Sequence, residues 1–452
     1  MKQSRLSCLI VVWLGLFSFT MAAPLEVASF EVDVTPSIGT PVAYAPTRSV
    51  DDPISARGIV LTGAGDPIVL CAVDYLGIGN TGYEVWRETL AKAAQTTPQR
   101  VAVHTLHQHD GPRCDFSVEQ LLAHHGMGGK KFDVAYCRDV LRRTGKAVTS
   151  SLMHKKSVTH IGLGRGKVDR VASNRRVLGT DGKVRLVRWS RSRDPAAMAA
   201  PEGLIDPWVR SISFWYEDQP VVVLTYYATH PQSYYGQGDV TCEFVGMARN
   251  QRQSEIGGVV HVHFNGAGGN ITAGKYNDGD PANRPVLADR LRRGMQLAWQ
   301  ATDRHPVTAA DIEWRVVPVA LPVPDYMQAD RYREILESDE ASQRDKLMAA
   351  KGLVWLTRCQ AGYQVELTCL RLGGARILHL PGELFVEYQL VAQAMAPDAL
   401  VAVAAYGDYG PGYIGTEIAY SQGGYEVRQD VSRVAPQVEH VLHQGMRELL
   451  QR

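Results

Sequence analysis

Residues 220–231 read PVVVLTYYATHP, an almost unbroken apolar run that ends in a histidine and a proline. β-Branched and aromatic residues dominate the run, which predicts a strand, and continuous apolar character is typical of strands covered on both faces. His230 and Pro231 follow where the strand must end, because proline cannot continue the ladder. The run therefore predicts a buried strand that presents a histidine at one edge of a sheet. Taken alone, such a histidine is more often a hydrogen-bonded core residue than a ligand.

Similar apolar runs alternate with amphipathic segments along the rest of the chain. Strands are predicted at 59–61, 68–73, 100–103, 221–226, 258–262, 375–380 and 400–404. Helices are predicted at 83–95, 133–152, 285–300, 329–351, 382–395 and 431–450. The alternation predicts an α/β fold, a mixed and mostly buried sheet flanked by helices, and no internal repeat is evident in the sequence. Because ligand sites form at the carboxyl edge of such sheets, we expect a metal site at the C-terminal ends of the strands.

The N-terminus predicts export. Two basic residues precede an apolar stretch at 9–21, which ends in the small residues Ala22 and Ala23. This layout is typical of a signal peptide, here residues 1–23, and the stretch is shorter than the ~20 apolar residues that a membrane span needs. The sequence therefore predicts a secreted or periplasmic protein whose mature chain is residues 24–452.

Composition excludes some classes of partner. Hydrophobic residues make up 45% of the chain and charged residues 21%, which is typical of a globular protein with a full core. The net charge is +1 and no Lys/Arg run is present, so no nucleic-acid partner is expected. No transmembrane segment is expected in the mature chain, and the oligomeric state stays open.

The cysteine pattern does not indicate a cysteine zinc site, because no CxxC pair is present. Six cysteines follow the predicted signal peptide, an even number that permits disulfides outside the cytoplasm. Cys359 and Cys369 flank a glycine-containing turn, so a bridge across a hairpin is one expectation, and buried free thiols are the other.

Histidines and a carboxylate follow three of the predicted strands. His107 and His109 lie in HTLHQHDGP at 104–112, two residues apart, so both imidazoles face one side of an extended chain. His230 ends the second strand, and Glu383 follows the third at the predicted first turn of a helix. Glu383 either stabilises the helix by a favourable interaction with the helix dipole, or it serves as an oxygen ligand or a general base.

A glycine- and tyrosine-rich segment at 406–426 is the fourth element, and it either carries phenols to the site or packs as a surface loop. Each of the four elements is individually weak evidence. Together, two histidines, one carboxylate and one tyrosine at one sheet edge fit a catalytic zinc site that keeps a position open.

These segments, in this order, resemble the catalytic domain of the neutral, non-lysosomal ceramidase family. The matching segments here are HQHDGP at 107–112, ATHP at 228–231, PGE at 381–383 and YIGT at 413–416. In the family they correspond to an HTHSGP segment, the second zinc histidine, the zinc glutamate and a YVTT segment. The resemblance implies a zinc cofactor and a substrate-contacting role for His109. The implied zinc ligands are His107, His230, Glu383 and Tyr413.

The resemblance extends to further candidate site residues. It implies that Tyr425 helps to hold an oxyanion and that Arg175 lines the substrate pocket. The loop at 265–274 is similar to the family's NAGNLSP loop, with one extra glycine, and places Asn270 among the substrate-binding candidates. Thr272 stands where the family has an essential serine. Thr272 then replaces that serine as nucleophile, positions a water, or is inert in a tight glycine turn.

The resemblance implies an exported zinc-dependent amidohydrolase that cleaves an N-acyl amide such as ceramide, with a role in sphingolipid metabolism. Residues 24–452 are expected to form the catalytic domain without the family's C-terminal immunoglobulin-like domain. The expected partner is a small-molecule or lipid substrate. Two alternatives stay open: a zinc hydrolase of another extracellular substrate, such as a glycan or an ester, and a non-catalytic binding protein that uses the metal pocket.

Overall fold

The computed structural model describes residues 24–451, so the predicted signal peptide lies outside the described residues. The longer strands are β1 Glu26–Asp33, β2 Ser55–Gly63, β3 Gly65–Val73, β4 Val101–Thr105, β5 His160–Lys167, β6 Trp208–Tyr216, β7 Gln219–Tyr227, β8 His261–Asn265, β9 Ile312–Val319, β10 Val365–Leu372, β11 Ala375–His379 and β12 Leu400–Ala404. The longer helices are α1 Asn80–Ala94, α2 Phe116–His124, α3 Val134–Ser151, α4 Glu243–Glu255, α5 Asn283–Gln300, α6 Ala329–Glu337, α7 Gln343–Gln360, α8 Val386–Met395 and α9 Val438–Leu450.

Three sheets built in the same way form the centre of the molecule. In each, three antiparallel strands are followed by a helical crossover and by a fourth strand that pairs in parallel with the third. The three sets are β1-β2-β3-α1-β4, β5-β6-β7-α4-β8 and β9-β10-β11-α8-β12. This structural repeat was not evident in the sequence. The three units need to share only a pattern of apolar positions, and many different residues satisfy such a pattern.

The three sheets share one core. Leu70, Phe214, Leu224, Phe264 and Ile377 come from all three sheets, and each is 0% exposed. Burying side chains of this size stabilises the fold by about 1.5–3 kcal/mol each. Helices cover the outer faces: α1 and α3 pack on the first sheet, α4 and α5 on the second, and α7, α8 and α9 on the third.

The parallel strand pairs bring the ends of the three sheets together. Backbone hydrogen bonds join Ala405 to Asn265 and Thr105 to Tyr406, both at 3.0 Å, so the chain segments that leave β4, β8 and β12 lie side by side. His107 follows β4, and His230 follows β7. The predicted α/β class and the predicted position of the site at the carboxyl ends of strands are confirmed, although the strands form several mixed sheets instead of one.

Some local predictions were wrong. The helix predicted at 329–351 is two helices, α6 and α7, separated by five residues in which Ser338 is extended. The helix predicted from 382 begins at Val386, because Glu383–Leu384 form a short strand paired with Tyr413–Ile414.

The cysteines and the helices add two findings. All six described cysteines are free thiols, and Cys359 lies in the last turn of α7, so the predicted hairpin bridge to Cys369 was wrong. Among the helices described between residues 24 and 451, none is both long and apolar enough to cross a bilayer.

Candidate metal centre

His107 is held in one orientation by its surroundings. Its backbone is left-handed, with φ of 58°, a strained conformation that tends to occur at functional sites. Its ring stacks on Tyr406 with centroids 4.6 Å apart, and its Nδ1 lies 2.8 Å from the Leu76 carbonyl oxygen. Because a carbonyl only accepts, Nδ1 must carry the proton. When the ring is neutral, the lone pair of Nε2 points into the site.

His230 is oriented in a similar way. Its Nδ1 lies 3.4 Å from the carbonyl oxygen of Gly268, in the glycine-rich loop after β8. Burial, together with the neighbouring His107, lowers the pKa of His230 well below its ordinary value, so the ring is neutral near pH 7. His230 thus also directs an unprotonated Nε2 inward. A histidine that donates its other N–H to a backbone carbonyl is typical of a metal ligand.

Glu383 completes the cluster from the third sheet. Its Oε2 lies 3.1 Å from His107 Nε2 and is buried without a hydrogen-bond donor, while Oε1 accepts from the Tyr409 hydroxyl. Although burial alone would raise the pKa of Glu383, His107 and hydrogen bonds from Tyr409 and Tyr413 hold it below its usual value. The carboxylate is therefore ionised.

The facing lone pairs of His107 and Glu383 indicate a cation site. Two acceptor atoms 3.1 Å apart in a buried site repel each other unless a cation or a proton lies between them. The ligand atoms of His107, His109 and His230 all lie within 4.8 Å of one another. Neutral imidazoles and a carboxylate are donors that zinc and other divalent transition metals accept, so the residues present fit a metal.

His109 differs from the other two histidines in where its proton lies. Gln232 Nε2 donates to the Tyr44 hydroxyl at 2.7 Å, and that hydroxyl is 2.6 Å from His109 Nδ1. When the Tyr44 hydroxyl donates its proton to Nδ1, the single proton of the neutral His109 ring is on Nε2. This Nε2 lies 3.1 Å from the Nε2 atoms of both His107 and His230. His109 is therefore a hydrogen-bond donor at the centre, whereas the other two histidines present acceptors.

Tyr413, Arg175 and Tyr425 are brought together beside Glu383. Tyr413 pairs directly with Glu383 in the short parallel ladder, and its hydroxyl accepts from Arg175 Nη1 at 3.1 Å. The Tyr425 ring packs edge-to-face on Tyr413, with centroids 5.7 Å apart, and 5.5 Å from the Arg175 guanidinium carbon. Arg175 is itself buried and paired at 3.2 Å with Glu426, which also pairs with Arg176.

Thr272 and Asn270 form hydrogen bonds that hold the glycine-rich loop in place. The Thr272 hydroxyl accepts from the backbone N–H of Gly274 at 3.2 Å. Asn270 accepts from the backbone N–H of Val386 at 2.9 Å and donates to Glu387 at 2.8 Å, which joins the loop to α8. In the described part of the chain, neither residue lines the cavity above the histidine cluster. Their predicted catalytic and substrate-binding roles stay predictions.

A cavity of about 390 Å³ opens above the cluster, within the range of roughly 300–1,000 Å³ that is usual for small-molecule sites. Sequence reasoning missed most of its wall, because the wall residues come from unrelated elements and share no local pattern. The lining residues that carry polar groups are Tyr44, His107, His109, Arg113, Lys131, Arg344, Lys351, Glu383, Tyr409, Tyr413, Tyr425 and Arg433.

No protein-family model matches the chain. No curated protein matches it either. Among solved structures, neutral ceramidase from Pseudomonas aeruginosa is similar with a TM-score of 0.68 and 16% identity, over 95% of this chain and 74% of that one. A ceramidase complexed with C2 is similar with a TM-score of 0.67 and 16% identity, over 95% of this chain and 75% of that one. The chain therefore has the fold of the neutral ceramidases, as its ordered motifs predict.

Proposed function

We propose that the protein is an exported, zinc-dependent amidohydrolase that cleaves an N-acyl amide, with ceramide as the first substrate to test. The contact between His107 Nε2 and Glu383 Oε2 carries this proposal, because two buried acceptors 3.1 Å apart need a cation or a proton between them, and the ligand atoms of three histidines within 4.8 Å of one another fit a metal ion. The ceramidase fold and the predicted signal peptide support the reaction class and the export.

His107, His230, Glu383 and Tyr413 would hold the metal, which supplies Lewis-acid chemistry to a carbonyl or a water when bound. The surrounding residues orient these four. Leu76 sets the ring proton of His107, Gly268 receives that of His230, and Tyr409 donates to Glu383. Such neighbours maintain ligand geometry and metal affinity.

The remaining residues bind and polarise the substrate. Hydrolysis of an amide joins the oxygen of water to the acyl carbon and breaks the C–N bond, and the departing amine takes a proton. His109 holds a proton at Nε2, where it can donate to the acyl oxygen as negative charge develops there. Tyr425 offers a phenol from the cavity wall, and Arg175 acts through Tyr413, which it touches.

The first experiment measures metal content and hydrolysis in the same preparation. We expect the purified mature protein to contain zinc and to release fatty acid from a fluorescent short-chain ceramide until a chelator removes the metal. His230→Ala should lose metal and activity together. His154→Ala, at an exposed histidine, is the control and should lose neither.

Full metal occupancy in His230→Ala would disprove the ligand assignment. A wild-type protein that holds zinc but hydrolyses neither amides nor esters would disprove the hydrolase and favour a binding protein.

A further inference from the structure

Four basic side chains line the same cavity without acidic partners. Within residues 24–451, the structure pairs none of them with a carboxylate, and Glu383 is the single carboxylate of the lining. A fifth basic residue, Arg344, is paired with Asp430 at 3.0 Å. We call the four unpaired residues the cationic wall; they are Arg113, Lys131, Lys351 and Arg433.

The two arginines of the wall are held in place by backbone oxygens. Arg433 is 4% exposed, and its Nη1 donates to the carbonyl of Gly410 at 3.2 Å. Arg113 donates through Nη2 to the carbonyl of Ala43 at 2.8 Å, while its Nε and Nη1 are buried without any partner. Because buried guanidinium groups are normally paired, these unused donors leave the positive charge of Arg113 uncompensated within the described chain.

Lys351 connects the wall to the metal centre. Its Nζ lies 5.4 Å from the ring centroid of Tyr409, whose hydroxyl donates to Glu383. Burial and repulsion by Arg113 and Arg433 lower the pKa of Lys351 to about 7, and Asp115 and Glu383 only partly oppose the shift. The ammonium group therefore lies one side chain away from the metal ligands and lacks a counter-ion.

The cationic wall carries more positive charge than the one carboxylate of the cavity lining can neutralise. Glu383 can neutralise one cation, yet the wall holds three cations and the partly protonated Lys351, and a divalent metal would add two more charges. Like charges in a half-buried cavity repel by several times more than in water, since the effective dielectric constant is lower. A bound anion would relieve this repulsion.

We propose that the substrate of this centre is an acylated amine whose amine part carries an anionic oxygen group, a carboxylate or a phosphate, bound by the cationic wall. The anion lies against Lys351, Arg113 and Arg433, while the amide faces the histidine cluster. This inference rests on the proposed amidohydrolase function and narrows its substrate class. A neutral ceramide would leave the wall unpaired.

The test compares three substrates on the zinc-loaded protein: a fatty acyl glycine, a phosphorylated short-chain ceramide and the unmodified short-chain ceramide. We expect kcat/KM for one anionic substrate to exceed that for the neutral ceramide by at least ~10-fold, the usual effect of a charge-assisted hydrogen bond. The better of the two anionic substrates identifies the group as carboxylate or phosphate. Preference for the neutral ceramide would overturn the inference.

Variants on helix α7 separate charge from folding. Lys351→Met should raise KM for the anionic substrate roughly 10- to 100-fold and change KM for the neutral ceramide much less. Lys346→Met, on the same helix and outside the cavity lining, should change neither, and Lys351→Arg should restore much of the binding. An unchanged KM for the anionic substrate in a folded Lys351→Met protein would refute the role of Lys351.

Binding is measured separately from turnover. We expect a fatty acyl glycine or inorganic phosphate to raise the melting temperature of the wild-type protein and not that of Lys351→Met. If no substrate is hydrolysed, the proposed function fails, and this shift alone decides the inference. Equal shifts in both proteins, or none in either, would overturn it.

Discussion

Replacing Tyr409 with phenylalanine tests how the structure orients the proposed metal ligand Glu383. The substitution keeps the ring beside His107 and removes only the hydroxyl that donates to Glu383 Oε1. Glu383 is only 2% exposed, so solvent replaces the lost donor poorly. The pKa of Glu383 should then rise, because one of the hydrogen bonds that hold it down is gone, and protons should compete better with the metal.

The size of the effect follows from the charge of the acceptor. A hydrogen bond to an ionised group contributes about 1.5–3 kcal/mol, which corresponds to roughly 10- to 150-fold in zinc affinity. This agrees with the 10- to 100-fold loss that is usual, to an order of magnitude, when a residue that orients a metal ligand is removed. The affinity is measured by competition with a chromophoric chelator at constant pH.

Tyr406 provides the matched control. Its ring also stacks on His107, yet its hydroxyl makes no hydrogen bond to the described side chains of the metal centre. Tyr406→Phe should therefore leave zinc affinity within about twofold. If both variants bind zinc as the wild type does, or if both lose affinity equally, the orienting role of Tyr409 is refuted.

Three further predictions concern the proton of one histidine, one buried ion pair and one lysine. His109→Ala should keep stoichiometric metal while losing hydrolysis, because the contact of its Nδ1 with the Tyr44 hydroxyl favours a proton on Nε2 and a donor role instead of a ligand role; metal analysis of the purified variant measures this. Arg249→Met should lower the free energy of unfolding by about 3–5 kcal/mol in urea titration, because it leaves the Asp74 carboxylate buried without the bidentate contacts at 2.6 and 3.0 Å. Affinity for the fatty acyl glycine should fall by up to about tenfold per pH unit above pH 7. The reason is that Lys351, whose pKa is about 7 in the free protein, loses its positive charge above that pH. Calorimetric titration across pH 6–9 measures the affinity.

Each of these predictions has a clear contrary result. Loss of metal from His109→Ala would make His109 a ligand and reverse the proton assignment. An Arg249→Met protein that unfolds at the wild-type urea concentration would show that Asp74 is neutral or hydrated in the fold. Affinity that is constant over the pH range, or that rises with pH, would exclude Lys351 as the anion-binding group.

The strands could be predicted because their signal is local. The runs at 68–73 and 221–226 lie within β3 and β7, since uninterrupted apolar character is itself the physical reason that these segments are buried. The break between α6 and α7 had a local signal that was overlooked. Ser342 caps α7 by accepting from the backbone N–H of Asp345, three residues on, which is a recognisable start of a helix.

The threefold arrangement of the sheets could not be predicted from the sequence. Pairing β3 with β4 across α1, and β7 with β8 across α4, is decided by which apolar faces meet in the shared core. The residue pattern of a strand shows that one of its faces is apolar, but it does not show which other strand or sheet packs against that face. The same limit hid the true neighbours of Glu383, whose two-residue strand pairs with Tyr413–Ile414 and accepts a hydrogen bond from Gly269.

By itself, the sequence determined that histidines and a carboxylate come just after buried strands. These residues therefore lie close together if the ends of those strands lie close together. Only the tertiary structure decided what each of them can do. The proton on His107 is set by Leu76 and that on His109 by Tyr44, both distant along the chain. The cationic wall also exists only in the fold, because electrostatic repulsion depends on distances in space, and its four residues come from separate parts of the sequence.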